Sequence, residues 1–79
     1  MIYCNLASAY FNQSQYKLAV GGYLLAVEIN PEMASAHNGL AMTYYKLKEY
    51  NLAWEHIKIA DKLGAEIDEE LLTAIKDRL

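Results

Sequence analysis

The side chains best able to do chemistry in this chain are one cysteine and two histidines: Cys4, His37 and His56. A thiolate beside a histidine is a nucleophilic pair, and cysteine with histidine also holds zinc. The spacing supports neither use. His37 and His56 lie nineteen residues apart on different predicted helices, and no second cysteine or CxxC pair completes a four-ligand site. Cys4 and His37 could meet across two stacked helices, but a nucleophile also needs an orienting third group and an oxyanion site. Neither is visible. His56, between Glu55 and Lys58 on a charged face, reads as solvated. The expectation is a chain that is not an enzyme, with no cofactor and no metal.

The elements that would position any site announce themselves by repetition. Displaced by 34 residues, the sequence nearly matches itself: Leu6 falls on Leu40, Ala7 on Ala41, Tyr10 on Tyr44 and Tyr16 on Tyr50. Leu18 falls on Leu52, Ala19 on Ala53 and Ala26 on Ala60. Small and large apolar residues alternate at helical spacing, as two stacked helical hairpins require. Such repeats build binding surfaces more readily than enclosed catalytic pockets.

Bulk composition narrows the class. Seventy-nine residues make one small domain, which buries only about 60–65% of its unfolded surface. A hydrophobic content of 54% with one proline excludes disorder. The net charge of -3 disfavours nucleic acid or an anionic membrane as partner, since either wants a basic face. A lone cysteine forms no internal disulfide, and no apolar run approaches the roughly 18 residues of a membrane span. With no signal peptide in view, the expectation is a soluble, cytosolic protein without membrane insertion. Charge is uneven: residues 1–27 hold one charged side chain, Lys17, and residues 28–79 hold the other sixteen. The first hairpin therefore has either a neutral polar surface, from Asn5, Ser8, Asn12, Gln13, Ser14 and Gln15, or a covered, self-associating one.

Five helices account for almost everything. The first spans about Ile2 to Asn12, with Tyr3, Leu6, Ala7, Tyr10 and Phe11 at i, i+3 and i+4 spacing. A Gln13-Ser14-Gln15 turn leads to a second, about Tyr16 to Ile29. Asn30-Pro31 reads as N-cap and first position of a third helix, running roughly from Glu32 to Leu47. A fourth covers about Tyr50 to Leu63 and stops at Gly64. Asp68 is the predicted N-cap of a fifth, acidic in its first turn and basic in its last. Short connections make neighbouring helices antiparallel.

These positions resemble the tetratricopeptide repeat. Tyr3, Leu6, Ala7, Tyr10, Ala19, Tyr23, Ala26 and Pro31 match its pattern in the first hairpin, and Leu40, Ala41, Tyr44, Ala53 and Ala60 in the second. Departures fall at His37, where the family has an aromatic, at Ile57, and at Ala65, where it has proline. His37 accordingly reads as a packing residue. The resemblance covers about residues 2–65 and implies an all-α antiparallel array of helix-turn-helix units with right-handed superhelical stacking. It divides a single domain, 1–79, into repeat one (about 1–33), repeat two (about 34–67) and a capping helix (about 68–79). Arrays need about three repeats for stability. With two, the chain is either a piece of a longer array or borrows the missing neighbour from another copy.

In this family the first helix of each hairpin lines a concave groove for peptides or partner helices. The matching positions are Cys4, Asn5, Ser8, Phe11 and Asn12, then Ser35, Asn38, Met42, Tyr45 and Lys46. Asparagines there can hydrogen-bond a peptide backbone, while Phe11, Met42 and Tyr45 offer apolar contact. The family's carboxylate clamp of lysines and an arginine is missing: Cys4, Ser8, Ser35 and Gly39 stand in those places. The expected function is thus non-catalytic binding of protein or peptide, the alternative a scaffold that forms homo-oligomers. Candidates for self-association are Ile2, Tyr3, Leu6 and Tyr10, together with Gly21 and Gly22, which the repeat register places on an outer face.

Overall fold

In the computed structural model, which describes residues 2–79, all regular structure is helical. The helices are α1 (Ile2–Asn12), α2 (Tyr16–Ile29), α3 (Ala34–Lys46), α4 (Tyr50–Lys62) and α5 (Glu69–Lys76). Met1, the first residue assigned to repeat one, lies outside the described residues. Each helix packs antiparallel on the next along the chain.

The backbone repeats more faithfully than the residues do. Helices α1, α3 and α4 end in the same stop: a residue in the left-handed region, followed by an N–H that reaches back five residues. Ser14 (φ 61°), Lys48 (φ 62°) and Gly64 (φ 92°) take the left-handed position. Gln15 then donates to the Tyr10 carbonyl, Glu49 to Tyr44 and Ala65 to Ala60, at 2.9, 2.9 and 3.0 Å. This satisfies carbonyls that a helix end leaves without partners. Ser14 and Lys48 are 34 residues apart, and each adopts its left-handed backbone at a cost of roughly 1–2 kcal/mol. Edge-to-face aromatic pairs close the same two turns, Phe11 on Tyr16 at 5.3 Å and Tyr45 on Tyr50 at 5.7 Å between centroids.

One predicted boundary needs correction. Asn30 is the C-cap of α2 and not the N-cap of α3; its N–H donates to the Ala26 carbonyl at 2.9 Å. Its side-chain Oδ1 accepts from the Glu32 N–H at 3.2 Å, closing a local turn in place of a helix start. Pro31 therefore sits in that turn, and α3 begins three residues later, with Met33 as an N-cap that makes no side-chain bond. The Pro31 carbonyl, free of helix duty, takes the His37 ring instead. At Asp68 the predicted cap holds: its carboxylate accepts from the Glu70 N–H at 3.0 Å.

Two buried clusters carry the packing. Ala7, Ala19, Tyr23, Ala26, Ala36 and Leu40 join α1, α2 and α3. Ala41, Ala53, Ile57 and Ile75 join α3, α4 and α5. So many alanines mean backbones in close approach, with few large side chains as filler. The glycines sharpen this. Gly22 is buried, contrary to the outer-face expectation: a β-carbon there would sit 2.8 Å from the Ala7 Cβ and 3.2 Å from the Tyr3 carbonyl oxygen. Gly39 receives the flat of the Tyr23 ring, which a β-carbon would overlap. Gly21 alone of the pair is on the surface, with nothing within 4 Å of its β-carbon position.

The last helix is held chiefly at its C-terminal end. Ile75 is fully buried, Lys76 lies 5.9 Å from the Trp54 ring centroid, and Arg78 lies 5.7 Å from that of Tyr50. Cations over aromatic faces add about 0.5–1 kcal/mol each at exposed sites.

Gly21 and Gly22 share a helix, so alanine gains the same propensity at both, about 1 kcal/mol. Gly21→Ala is expected to stabilise by about that amount. Gly22→Ala and Gly39→Ala are expected to destabilise by about 1–3 kcal/mol through overpacking. Urea unfolding midpoints check this, and equal behaviour of Gly21 and Gly22 would contradict the α1–α2 contact.

Candidate functional site

A cleft of about 260 Å³ opens where α1, α3 and the start of α5 converge. Phe11, Met42, Tyr45 and Leu71 give it an apolar lining, and Asn38, Lys46, Glu66 and Asp68 give it polar edges. Half of the groove residues read from the sequence meet here: Phe11, Asn38, Met42, Tyr45 and Lys46. Asn5, Ser8, Asn12 and Ser35 are exposed outside it. Cys4 is half-buried and packs on the α1–α3 core, so its thiol is part of the packing and not of the cleft wall.

Glu66, Asp68 and Leu71 are absent from the groove set read off the sequence. The repeat interval carried the signal. Asp68 stands 34 residues after Ala34, Leu71 after His37 and Ile75 after Ala41, so α5 occupies the place that α3 holds one unit earlier. Ala7, Ala41 and Ile75 are all fully buried, which marks the shared register. Treating α5 as a cap, outside the pattern, hid its contribution to the wall.

The cleft contains an unmet hydrogen-bonding demand. Asn38 Oδ1 is buried and has no partner, the one such side-chain atom among the described residues. A buried acceptor without a donor costs about 1–3 kcal/mol, so a ligand that supplies an N–H here recovers that energy. At the rim Glu66 and Asp68 set two carboxylates against the one ammonium of Lys46.

Behind the cleft, the histidines form a polar seam and are not independent. His37 is buried and His56 half-buried, with their Nδ1 atoms 3.1 Å apart and their rings stacked at 5.3 Å between centroids. The solvated reading of His56 is thereby corrected: α4 turns it inward, where Tyr44 stacks on its ring at 5.7 Å. The protons follow from the partners. His37 Nε2 lies 2.9 Å from the Pro31 carbonyl, which only accepts, so Nε2 carries hydrogen. In the neutral pair His37 Nδ1 then accepts from His56 Nδ1–H. Burial, and secondarily the neighbouring His37, lower the His56 pKa from its ordinary value, against a smaller opposing pull from Glu55. Burial likewise raises the Tyr44 pKa, helped by Glu49 and Glu55.

Among the described residues no three His, Cys, Asp or Glu side chains gather as a metal-binding group. No helix among them is long and apolar enough to cross a membrane. No protein-family model and no curated protein matches the chain.

Because the folded state favours neutral His56, the unfolded chain binds more protons once pH falls below the free histidine value near 6.5. Stability is therefore expected to be full above about pH 7 and to decline as pH drops toward 5. The slope is bounded by about 1.4 kcal/mol per pH unit and is reduced by solvent at the half-exposed ring. Urea titrations at pH 5 and pH 7.5 check this. His56→Gln should lose the dependence between those values, and an unchanged slope in that variant would place its origin elsewhere.

Proposed function

We propose that this chain is a non-catalytic protein-interaction module of tetratricopeptide-like build, which holds an extended peptide or partner helix across α1, α3 and the start of α5. The observation that carries the reading is the buried, partnerless Oδ1 of Asn38 beside an apolar cleft. A peptide backbone N–H is the donor that suits it, after a small rotation of the amide. The 34-residue period and its tetratricopeptide pattern support the same reading, since stacked hairpins leave such a groove on one side. Phe11, Met42, Tyr45 and Leu71 suit one apolar side chain of the ligand. The carboxylates of Glu66 and Asp68 suit a neighbouring basic group. A terminal carboxylate would meet them unfavourably, in line with the missing clamp.

A peptide library selected on the immobilised chain is expected to enrich segments with an apolar residue next to lysine or arginine. Against a peptide so obtained, Asn38→Ala should weaken binding by about 1–2 kcal/mol, roughly five- to thirty-fold. Glu66→Lys should act mainly on basic ligands. Asn38→Ala removes a buried acceptor that has no partner and Glu66→Lys alters an exposed side chain, so both should leave the melting temperature nearly unchanged, with fluorescence anisotropy as the readout of binding. Affinity indifferent to Asn38, Tyr45 and Glu66 alike would remove the cleft from consideration.

A further inference from the structure

The exposed apolar surface is concentrated in the first hairpin. Ile2, Leu6, Leu18, Leu25 and Ile29 are between 45% and 82% exposed. Leu18, Leu25 and Ile29 follow one another at seven and four residues along α2, hence on one stripe. Ile2 and Leu6 do the same on α1, and a cleft of about 320 Å³ lined by Ile2, Tyr3, Ala26 and Ile29 joins the two stripes. The equivalent of the α1 stripe one unit later, Ala36 and Leu40, is fully buried against α2. The same face thus occurs once covered and once bare.

We propose that a second copy of this chain covers the bare face, with the two α2 helices antiparallel about a two-fold axis. Addition head to tail is unavailable, because the complementary face of the second hairpin, around Ile57, is already closed by Ile75 of α5. Between copies of this chain, the bare face therefore pairs only with itself. A two-fold interface must be self-complementary, and the charges of α2 satisfy that condition. Lys17 and Glu28 are the only charged residues of this helix and lie symmetrically about the Gly22–Tyr23 peptide bond. Antiparallel pairing therefore sets Lys17 opposite Glu28 of the partner subunit. Gly21, open on its outer side, lies near the axis, where the two backbones come closest. The bare side chains offer on the order of 500 Å² per copy, which brings the pair to the roughly 1,000 Å² of a specific interface.

Light scattering and sedimentation over micromolar to millimolar concentrations test this on the whole chain. A mass rising to two chains is expected, and Leu25→Glu, at a position already half-exposed, should weaken the dimer about tenfold or more while circular dichroism stays unchanged. Lys17→Glu and Glu28→Lys should each weaken it, and the two combined should restore it. A one-chain mass throughout would overturn the proposal and leave the face to a different partner. A dimer indifferent to Leu25→Glu would overturn it as well, and one lost by Leu25→Glu but not rescued by the double charge exchange would overturn the antiparallel α2 arrangement.

Discussion

The ring of Tyr23 lies on the backbone of Gly39, and the rest of the structure depends on that contact. It is where the first hairpin meets the second: Tyr23 projects from α2, and α3 presents a bare backbone to it. Burying an aromatic ring removes some 150–250 Å² from water, worth a few kcal/mol, a large share of the stability of so small a domain. Gly39 contributes in a second way. Its carbonyl accepts from the buried Thr43 hydroxyl at 2.7 Å, so that hydroxyl is not left unpaired in the core. Because α3 is fixed against α2 at this point, its opposite edge, with Asn38, Met42 and Tyr45, is held at the angle that opens the cleft.

The two hairpins use one backbone plan and fill it differently. Gly22 and His56 are equivalent positions, 34 residues apart, each on the second helix and turned toward the first. In the first hairpin the absence of a side chain lets α2 rest on Ala7 and the Tyr3 carbonyl. In the second, an imidazole enters the same seam and is accommodated by stacking on Tyr44 and by a hydrogen bond to His37. His37 in turn needs the Pro31 carbonyl, which is available only because Asn30 delays the start of α3. One polar substitution at a repeat position therefore draws three other residues into a network, since a buried imidazole without partners would be costly.

Much of the fold was legible in the sequence because it rests on local rules. Periodicity located all five helices, Asp68 declared its capping role, and Gly64 its left-handed stop. What failed did so for physical reasons. Asn30 suits an N-cap and an Asx turn equally, and only the path from α2 to α3 decides between them. Gly22 and His56 were misplaced because a helical repeat says which positions face a neighbouring helix in the family, while the distance between backbones here depends on Ala7 and on the ring stack. In the cleft, five wall residues were legible from the first-helix rule. Glu66, Asp68 and Leu71 were not, because their contribution arises from α5 occupying the register of a first helix despite carrying few of its residue types.

That register couples the cleft to the stability of the chain's end. The first turn of α5 and the residues before it contribute Glu66, Asp68 and Leu71 to the wall, while its last turns are held by Ile75, by Lys76 over Trp54 and by Arg78 over Tyr50. An eight-residue helix is far too short to persist alone, so its order derives from these contacts with α4. A ligand in the cleft touches α5 only when the helix is docked, and binding to the docked state alone stabilises it by mass action. The same small helix covers the Ile57 face and walls the cleft, so a ligand held there would be coupled to its docking, and a change at Trp54 would reach the cleft through it.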